Sequence, residues 1–195
     1  MSGHVMNSPN IAPLEVLNIA VSAVRNGDAE SLGALDALEV PVYATDHQGV
    51  ISYFNPACVD FSGRRPALGK DSWCVSWKLY TEDGDFLPRE KCPMAVAIQQ
   101  KRPVRGIAAI AERPDGSRVT FLPFPTPLLD DDGDVVGAVN ILVPVSDVEK
   151  ARRLQVQAQR CRRLAASVND PKTVRTLNLM AAELEAQAAA LGQVD

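Results

Sequence analysis

The stretch Leu38–Pro66, LEVPVYATDHQGVISYFNPACVDFSGRRP, decides the fold. VPVYATD (40–46) and VISYF (50–54) are rich in β-branched and aromatic residues, which suit a pleated, half-buried strand. DHQG (46–49) lies between them as a hairpin turn. NPACVDFSG (55–63) then reads as a short helix, with Asn55 as N-cap and Pro56 at the first helical position.

Upstream, residues 1–10 are polar and expected to be mobile. Pro13 opens a segment with Leu14, Leu17, Val21 and Val24 at helical spacing, and Asn26-Gly27-Asp28 stops it. A short second helix is expected over 29–38.

Downstream, WCVSWKLYTEDGDFLPREKCPM (73–94) holds both tryptophans and two of the four cysteines, with irregular structure expected around TEDGD. CPMAVAIQQK (92–101) reads as a helix with Met94, Ala97 and Ile98 on one face. Three strands follow: RGIAAIAE (105–112), RVTFLPF (118–124) after the RPDGS turn, and the apolar end of LLDDDGDVVGAVNILVPV (128–145) after an acidic turn. Pro123, Pro125 and Pro127 are spaced by two, so their missing N–H groups all face one neighbour. That strand is therefore expected to outrun its 106–112 partner and to pair on one side only past Leu122. Strands near both ends of this core, with helices between, point to an α+β domain with an antiparallel sheet.

The tail, 147–195, is helical in pattern. Leu154, Ala158, Cys161, Ala165 and Val168 form one stripe, and Val174, Leu177, Ala181, Leu184, Ala188 and Leu191 form another. Asn169-Asp170-Pro171 separates them, with Asp170 as N-cap and Pro171 at the first position. Each stripe is too short for a long coiled coil, so the hairpin is expected to pack on itself, on the N-terminal helices or on a second copy.

Composition removes several classes. At 195 residues, folding buries roughly 70% of the unfolded surface, so a core needs no disulfide or metal to hold it. Hydrophobic residues at 46% and charged residues at 23% are ordinary for a globular protein, and a net charge of −4 gives no global case for nucleic acid. No apolar run is long enough to span a membrane, and MSGHVMNSPN has no signal-peptide pattern, so a cytoplasmic protein with reduced thiols is expected.

The quoted stretch resembles the opening of a PAS domain: a strand, a D-x-x-G turn, a second strand, then an N-P-A helix start. GAVNILVPVSDVEKAR (137–152) resembles its last strand running into an exit helix. WCVSWKLYTEDGDFLPREKCPMAVAI with RPVRGIAAIAERPDGSRVTFLPFPTP resembles a bacterial subgroup of PAS sensor modules found in histidine kinases. The resemblance covers about 39–150 and divides the chain into an N-terminal helical segment (1–38), a PAS domain (39–146) and a C-terminal helical hairpin (147–195). It implies a five-stranded antiparallel sheet with helices on one face. The cavity between them binds a small ligand or stays packed, and flanking helices carry the signal, often as a homodimer. A kinase is not implied, because the tail has no histidine to accept a phosphoryl group.

The chemistry-bearing residues are few. His4 and His47 are the only histidines, and Cys74 and Cys92 lie 18 apart with no C-x-x-C, a poor ligand set for zinc. Haem bound through histidine is disfavoured, since no histidine lies on or beside 91–101. Covalent flavin is also disfavoured: light-sensing PAS relatives carry an N-C-R-F-L-Q type motif, and this chain has NPACVDFSGRR, with Cys58 near the place. Non-covalent flavin stays open, and the cofactor is unknown. Neither Cys74 nor Cys92 has a histidine base near it in sequence, so they read as buried hydrophobes or as a reversible redox pair. No catalytic constellation is present, and the chain reads as a non-enzyme.

Trp73, Trp77, Tyr80, Met94, Ile98 and Asn140 are the candidate ligand-binding residues: an apolar wall with one polar residue inside an apolar strand. They also read as closed core. Leu154, Cys161, Leu177 and Leu184 are the candidate signalling and dimer positions. Lys150, Arg152, Arg153, Arg160, Arg162 and Arg163 crowd the first tail helix, as a solvated face, as nucleic-acid contacts or as a complement to an acidic partner. The leading expectation is a sensory module that responds to a small ligand or redox state and transmits through its flanking helices to a protein partner. The alternatives are a ligand-free dimerisation module and a regulator that contacts nucleic acid through the basic helix.

Overall fold

The computed structural model describes residues 12–191. The expectation of a mobile start and His4 lie outside the described residues, as does the side chain of Leu191. The chain forms two compact units, Met1–Pro144 and Val145–Asp195. The N-terminal helices therefore share a unit with the sheet.

Helix α1 spans Pro13–Asn26 and ends at Gly27, whose φ of 67° lets its N–H return to the Ala23 carbonyl. Helix α2, Ala29–Asp36, starts at Asp28, whose Oδ1 accepts the Ser31 N–H at 2.8 Å. The buried face of α1 is Val16, Leu17, Ala20 and Ala23, while Leu14 is 57% exposed. The expected stripe was thus rotated: Val21 and Val24 flank the contact rather than centre it.

Strands β1 (Val42–Asp46) and β2 (Ile51–Phe54) form the expected hairpin. Asp46 Oδ1 accepts the N–H groups of Gln48 and Val50, both at 2.9 Å, which closes the turn from within. Helix α3, Pro56–Ser62, begins as expected after Asn55, but the Asn55 side chain does not cap it. Strand β3, Lys78–Thr81, was not expected; it runs up to the TEDGD segment and pairs with β4, Ala109–Glu112, from Lys78↔Glu112 to Thr81↔Ala109. TEDGD turns the chain tightly back at its end, with the Thr81 N–H bonded to the Asp85 carbonyl at 2.8 Å and an isolated bridge between Tyr80 and Phe86. Helix α4, Pro93–Gln99, follows, and Met94, Ala97 and Ile98 are all buried.

Strand β5, Arg118–Pro123, pairs with β4 only as far as Ala109↔Phe121. Beyond that, β6 (Thr126–Leu129) pairs with β7 (Val135–Pro144). Pairing past Leu122 is thus one-sided within the sheet, and the Phe124 N–H goes to the Ile141 carbonyl at 3.0 Å. On the other side the Pro125 carbonyl accepts the Val104 N–H at 3.3 Å and Arg105 Nη1 at 2.7 Å, with no strand pairing. The single strand expected here is cut in two between Pro123 and Thr126.

The sheet order is β2-β1-β7-β5-β4-β3, antiparallel throughout, with β6 on β7. The expected five strands become seven by the addition of β3 and the division that creates β6. Alternation sorts the two faces. Tyr43, Ala138 and Leu142 face a core shared with α3, α4 and the 73–79 segment. Val42, Ala44, Val139 and Ile141 face α1 and α2. Helices therefore cover both faces, not one. Each fully buried Leu, Ile or Val contributes about 1.5–3 kcal/mol, so this second layer is a substantial part of the unit's stability.

In the second unit, α5 (Asp147–Ser167) and α6 (Pro171–Leu191) pack on each other. Asp170 caps α6, accepting the Thr173 N–H at 2.8 Å. Leu154, Ala158, Ala165, Ala181 and Ala188 are buried, and Cys161, Val168, Val174, Leu177 and Leu184 are half-buried, so both stripes turn inward. Arg162 joins Glu185 through two hydrogen bonds of 2.8 and 2.6 Å.

Candidate functional site

A buried chain of hydrogen bonds runs through the mainly apolar layer between the sheet and α3/α4. Asn140 sits on β7, the central strand, and is 2% exposed. Its Nδ2 donates to the Tyr43 hydroxyl at 3.1 Å, and its Oδ1 accepts the Phe124 N–H at 2.8 Å. The Tyr43 hydroxyl donates to the Trp73 carbonyl at 3.0 Å. The Cys92 thiol points at the same carbonyl from 3.8 Å. Five separate segments thus meet at one polar thread inside a core.

Burial pushes the Tyr43 phenol well above its ordinary pKa, and the nearby thiols of Cys74 and Cys92 add to the shift. Burial likewise raises Cys92 to about 12, with Cys74 as the next cause. Cys58, whose thiol donates to the Val42 carbonyl at 3.2 Å, is raised by burial as well. Cys58, Cys74 and Cys92 belong to the same core cluster. Cys58 and Cys92 are held as neutral thiols near pH 7, the less reactive form.

The six residues expected to line a ligand site do not stay together. Met94, Ile98 and Asn140 lie in the layer. Trp73 packs partly against it, but its ring lies over Gly49, where a Cβ would come within 2.3 Å of the indole. Trp77 is 49% exposed. Tyr80 points away from the layer: its ring meets Phe86 edge-on with centroids 6.0 Å apart and lies under the Arg118 guanidinium at 4.2 Å. The reason is the pleat of β3, which turns Leu79 in and Tyr80 out. Beside Tyr80, Glu112 accepts from Lys78 and Arg118, which hold its carboxyl down at about 2.

Asn55 and Tyr43 carry more of the layer's architecture than their sequence contexts announced. Asn55 is fully buried. Its Oδ1 accepts the Val42 N–H at 2.9 Å, and its Nδ2 faces the carbonyls of Leu35, Leu38 and Val40 at 3.1, 3.3 and 2.9 Å. It fastens the end of α2 to the first strand. The only available signal was an asparagine before proline, which reads equally well as a cap.

His47 lies exposed in the β1–β2 turn. Among the described residues no group of three or more His, Cys, Asp or Glu side chains is placed to hold a metal ion. Among the described residues, the surface cavities of the first unit include two beside its helices. One, about 530 Å³, opens between the end of α2 and α3; the other, about 280 Å³, lies beside α4 and the start of β4. None of the six expected ligand-binding residues lines either of them.

The family model described as the PAS fold matches residues 35–150, more than half of the chain. The chain therefore belongs to the PAS family, whose fold supports a signalling sensor module. Solved structures similar to it include a light-oxygen-voltage (LOV) protein of Rhodobacter sphaeroides, at 12% identity over 90% of this chain and 99% of that one, with a TM-score of 0.48. The PAS domain of the fruit-fly ELK potassium channel is similar at 19% identity over 58% and 92%, with a TM-score of 0.46. A LOV domain from a blue-light activated histidine kinase of Erythrobacter litoralis is similar at 20% identity over 55% and 96%, with a TM-score of 0.42. No curated protein matches the chain. None of the described helices is long and apolar enough to cross a membrane.

Proposed function

We propose that the protein is a cytoplasmic, non-catalytic PAS sensor that responds to a small ligand or to redox state and passes the response through its flanking helices to a partner, as a homodimer. The observation that carries this reading is the thread Asn140–Tyr43–Trp73 carbonyl–Cys92 in a mainly apolar layer. A small polar ligand entering beside Met94 and Ile98 would compete for the Tyr43 hydroxyl or the Trp73 carbonyl. Losing either bond alters the fit of β1 against the 73–79 segment. Asn55 then links β1 to α2, giving the change a route to the N-terminal helices. A ligand moves this equilibrium only by binding one arrangement more tightly than the other.

A Cys74–Cys92 redox pair is the second form of input. The two thiols share one cluster, and Cys74 adds to the raised pKa of Cys92, although burial slows their reaction. A ligand-free dimerisation module is the competing reading. It is favoured by the complete burial of Met94 and Cys92 against their neighbours.

Native mass spectrometry of the purified protein, with an absorption spectrum of the same sample, separates these readings. A bound small mass or a visible chromophore supports the sensor. Apo protein throughout, with unchanged melting temperature across a metabolite panel and after peroxide treatment, supports the dimerisation module.

A further inference from the structure

The cavity between the end of α2 and α3 has a distinctive composition. Its floor includes Pro41, Pro56, Ala57 and Phe61, and Asp36, Glu39 and Asp60 stand around it. The one cationic side chain in its lining, Arg113, is already engaged: its Nε donates to the Phe61 carbonyl at 2.8 Å, and its stem packs against Gly63. The groove thus combines an apolar floor with an excess of negative charge.

The complementary surface lies on α5. Residues 150–163 hold six basic residues and no acidic one. Leu154, Ala158 and Ala165 turn inward. At 3.6 residues per turn, Arg152, Val156, Arg160 and Arg163 fall within about 40° of the opposite side. Arg152, Arg160 and Arg163 are exposed there, and Val156 is 42% exposed in the middle of the row. An apolar side chain flanked by arginines matches an apolar floor flanked by carboxylates.

We propose that this groove receives the outward face of α5 from a second copy of the chain, with Val156 over the Pro56–Phe61 floor and the arginines against Asp36, Glu39 and Asp60. Two copies related by a twofold axis make the contact twice, which closes the assembly as a dimer. The inference deepens the homodimer part of the function proposed above and rests on it.

The test is sedimentation velocity on the full chain and on three variants: Glu39→Lys with Asp60→Lys, Arg152→Glu with Arg160→Glu, and all four together. These side chains are exposed, so circular dichroism and melting temperature should stay near the wild type. The wild type is expected to be a dimer that weakens from 50 to 500 mM salt. Each double variant is expected to raise the dissociation constant at least tenfold, and the quadruple variant to return it to within a few-fold of the wild type. A monomeric wild type at 100 µM overturns both this contact and the homodimer reading. A dimer untouched by the double variants overturns the contact alone, as does a quadruple variant that is not rescued. Co-purifying nucleic acid that is lost in the arginine variant would assign the basic row to an anionic polymer and overturn the contact as well.

Discussion

Asn140 and Tyr43 lie 97 residues apart in the chain and meet at 3.1 Å across the paired strands β7 and β1. Their contact turns two ordinary strand residues into the polar centre of an apolar layer. Tyr43→Phe should leave the Asn140 amide and the Trp73 carbonyl short of a partner, at a cost of about 1–3 kcal/mol. Urea unfolding reads this directly, and a loss below about 0.5 kcal/mol would show the thread to be dispensable.

Asn55 to Val42 is the equivalent link for the N-terminal helices. Asn55→Ala strands a buried N–H and removes the donor to three carbonyls, so α2 should loosen before the sheet does. Hydrogen exchange should rise in α1 and α2 while β4 and β5 stay protected. Uniform loss of protection would mean the link holds the whole unit rather than one end.

Two glycines separate backbone crowding from backbone strain. A Cβ at Gly137 would sit 2.6 Å from the Thr45 carbonyl oxygen, in the heart of the β1–β7 pairing. Gly116 has a φ of 84° and open space around it. Gly116→Ala should cost about 1–2 kcal/mol from left-handed strain alone. Gly137→Ala should cost clearly more, because two strands must separate. Comparable melting temperatures for the two variants would refute the close approach.

The raised Cys92 pKa has a pH signature. Its thiol stays protonated in the fold up to about 12, whereas in the unfolded chain it ionises from an ordinary value near 9. Between those values the unfolded state holds fewer protons, so stability falls as pH rises. The contribution is fully present below about pH 9 and lost through about pH 12. Cys92→Ala should flatten this alkaline limb. In the native protein at neutral pH, iodoacetamide should modify half-buried Cys161 first and leave Cys92 for the unfolded chain.

Leu154 is 8% exposed on the inner stripe of α5. Leu154→Asp buries a charge against α6 and should cost the hairpin about 3 kcal/mol or more. Loss of helix signal in circular dichroism is the expected outcome. Unchanged helix content and oligomeric state would remove the tail from the signalling role.

Local patterns made the elements legible. The D-x-x-G turn, the N-P start of α3, the Asn-Gly stop of α1 and the Asp-Pro start of α6 each act within a few residues, through backbone geometry and capping. Proline spacing even disclosed where β5 loses its β4 neighbour, because a proline has no N–H to donate to a ladder whatever the fold.

What sequence alone could not decide was which side chains share a place. Trp77 and Tyr80 have the composition of a pocket wall, yet the short β3 strand turns Tyr80 outward and leaves Trp77 half in solvent. Asn55 reads as a cap until α2 arrives to claim its amide. Leu14 looks like core until the packing angle of α1 selects Val16 and Ala20 instead. Each outcome depends on contacts between segments far apart in the chain. Their energies exist only once the sheet has brought those segments together, so the elements were determined locally and the site by tertiary packing.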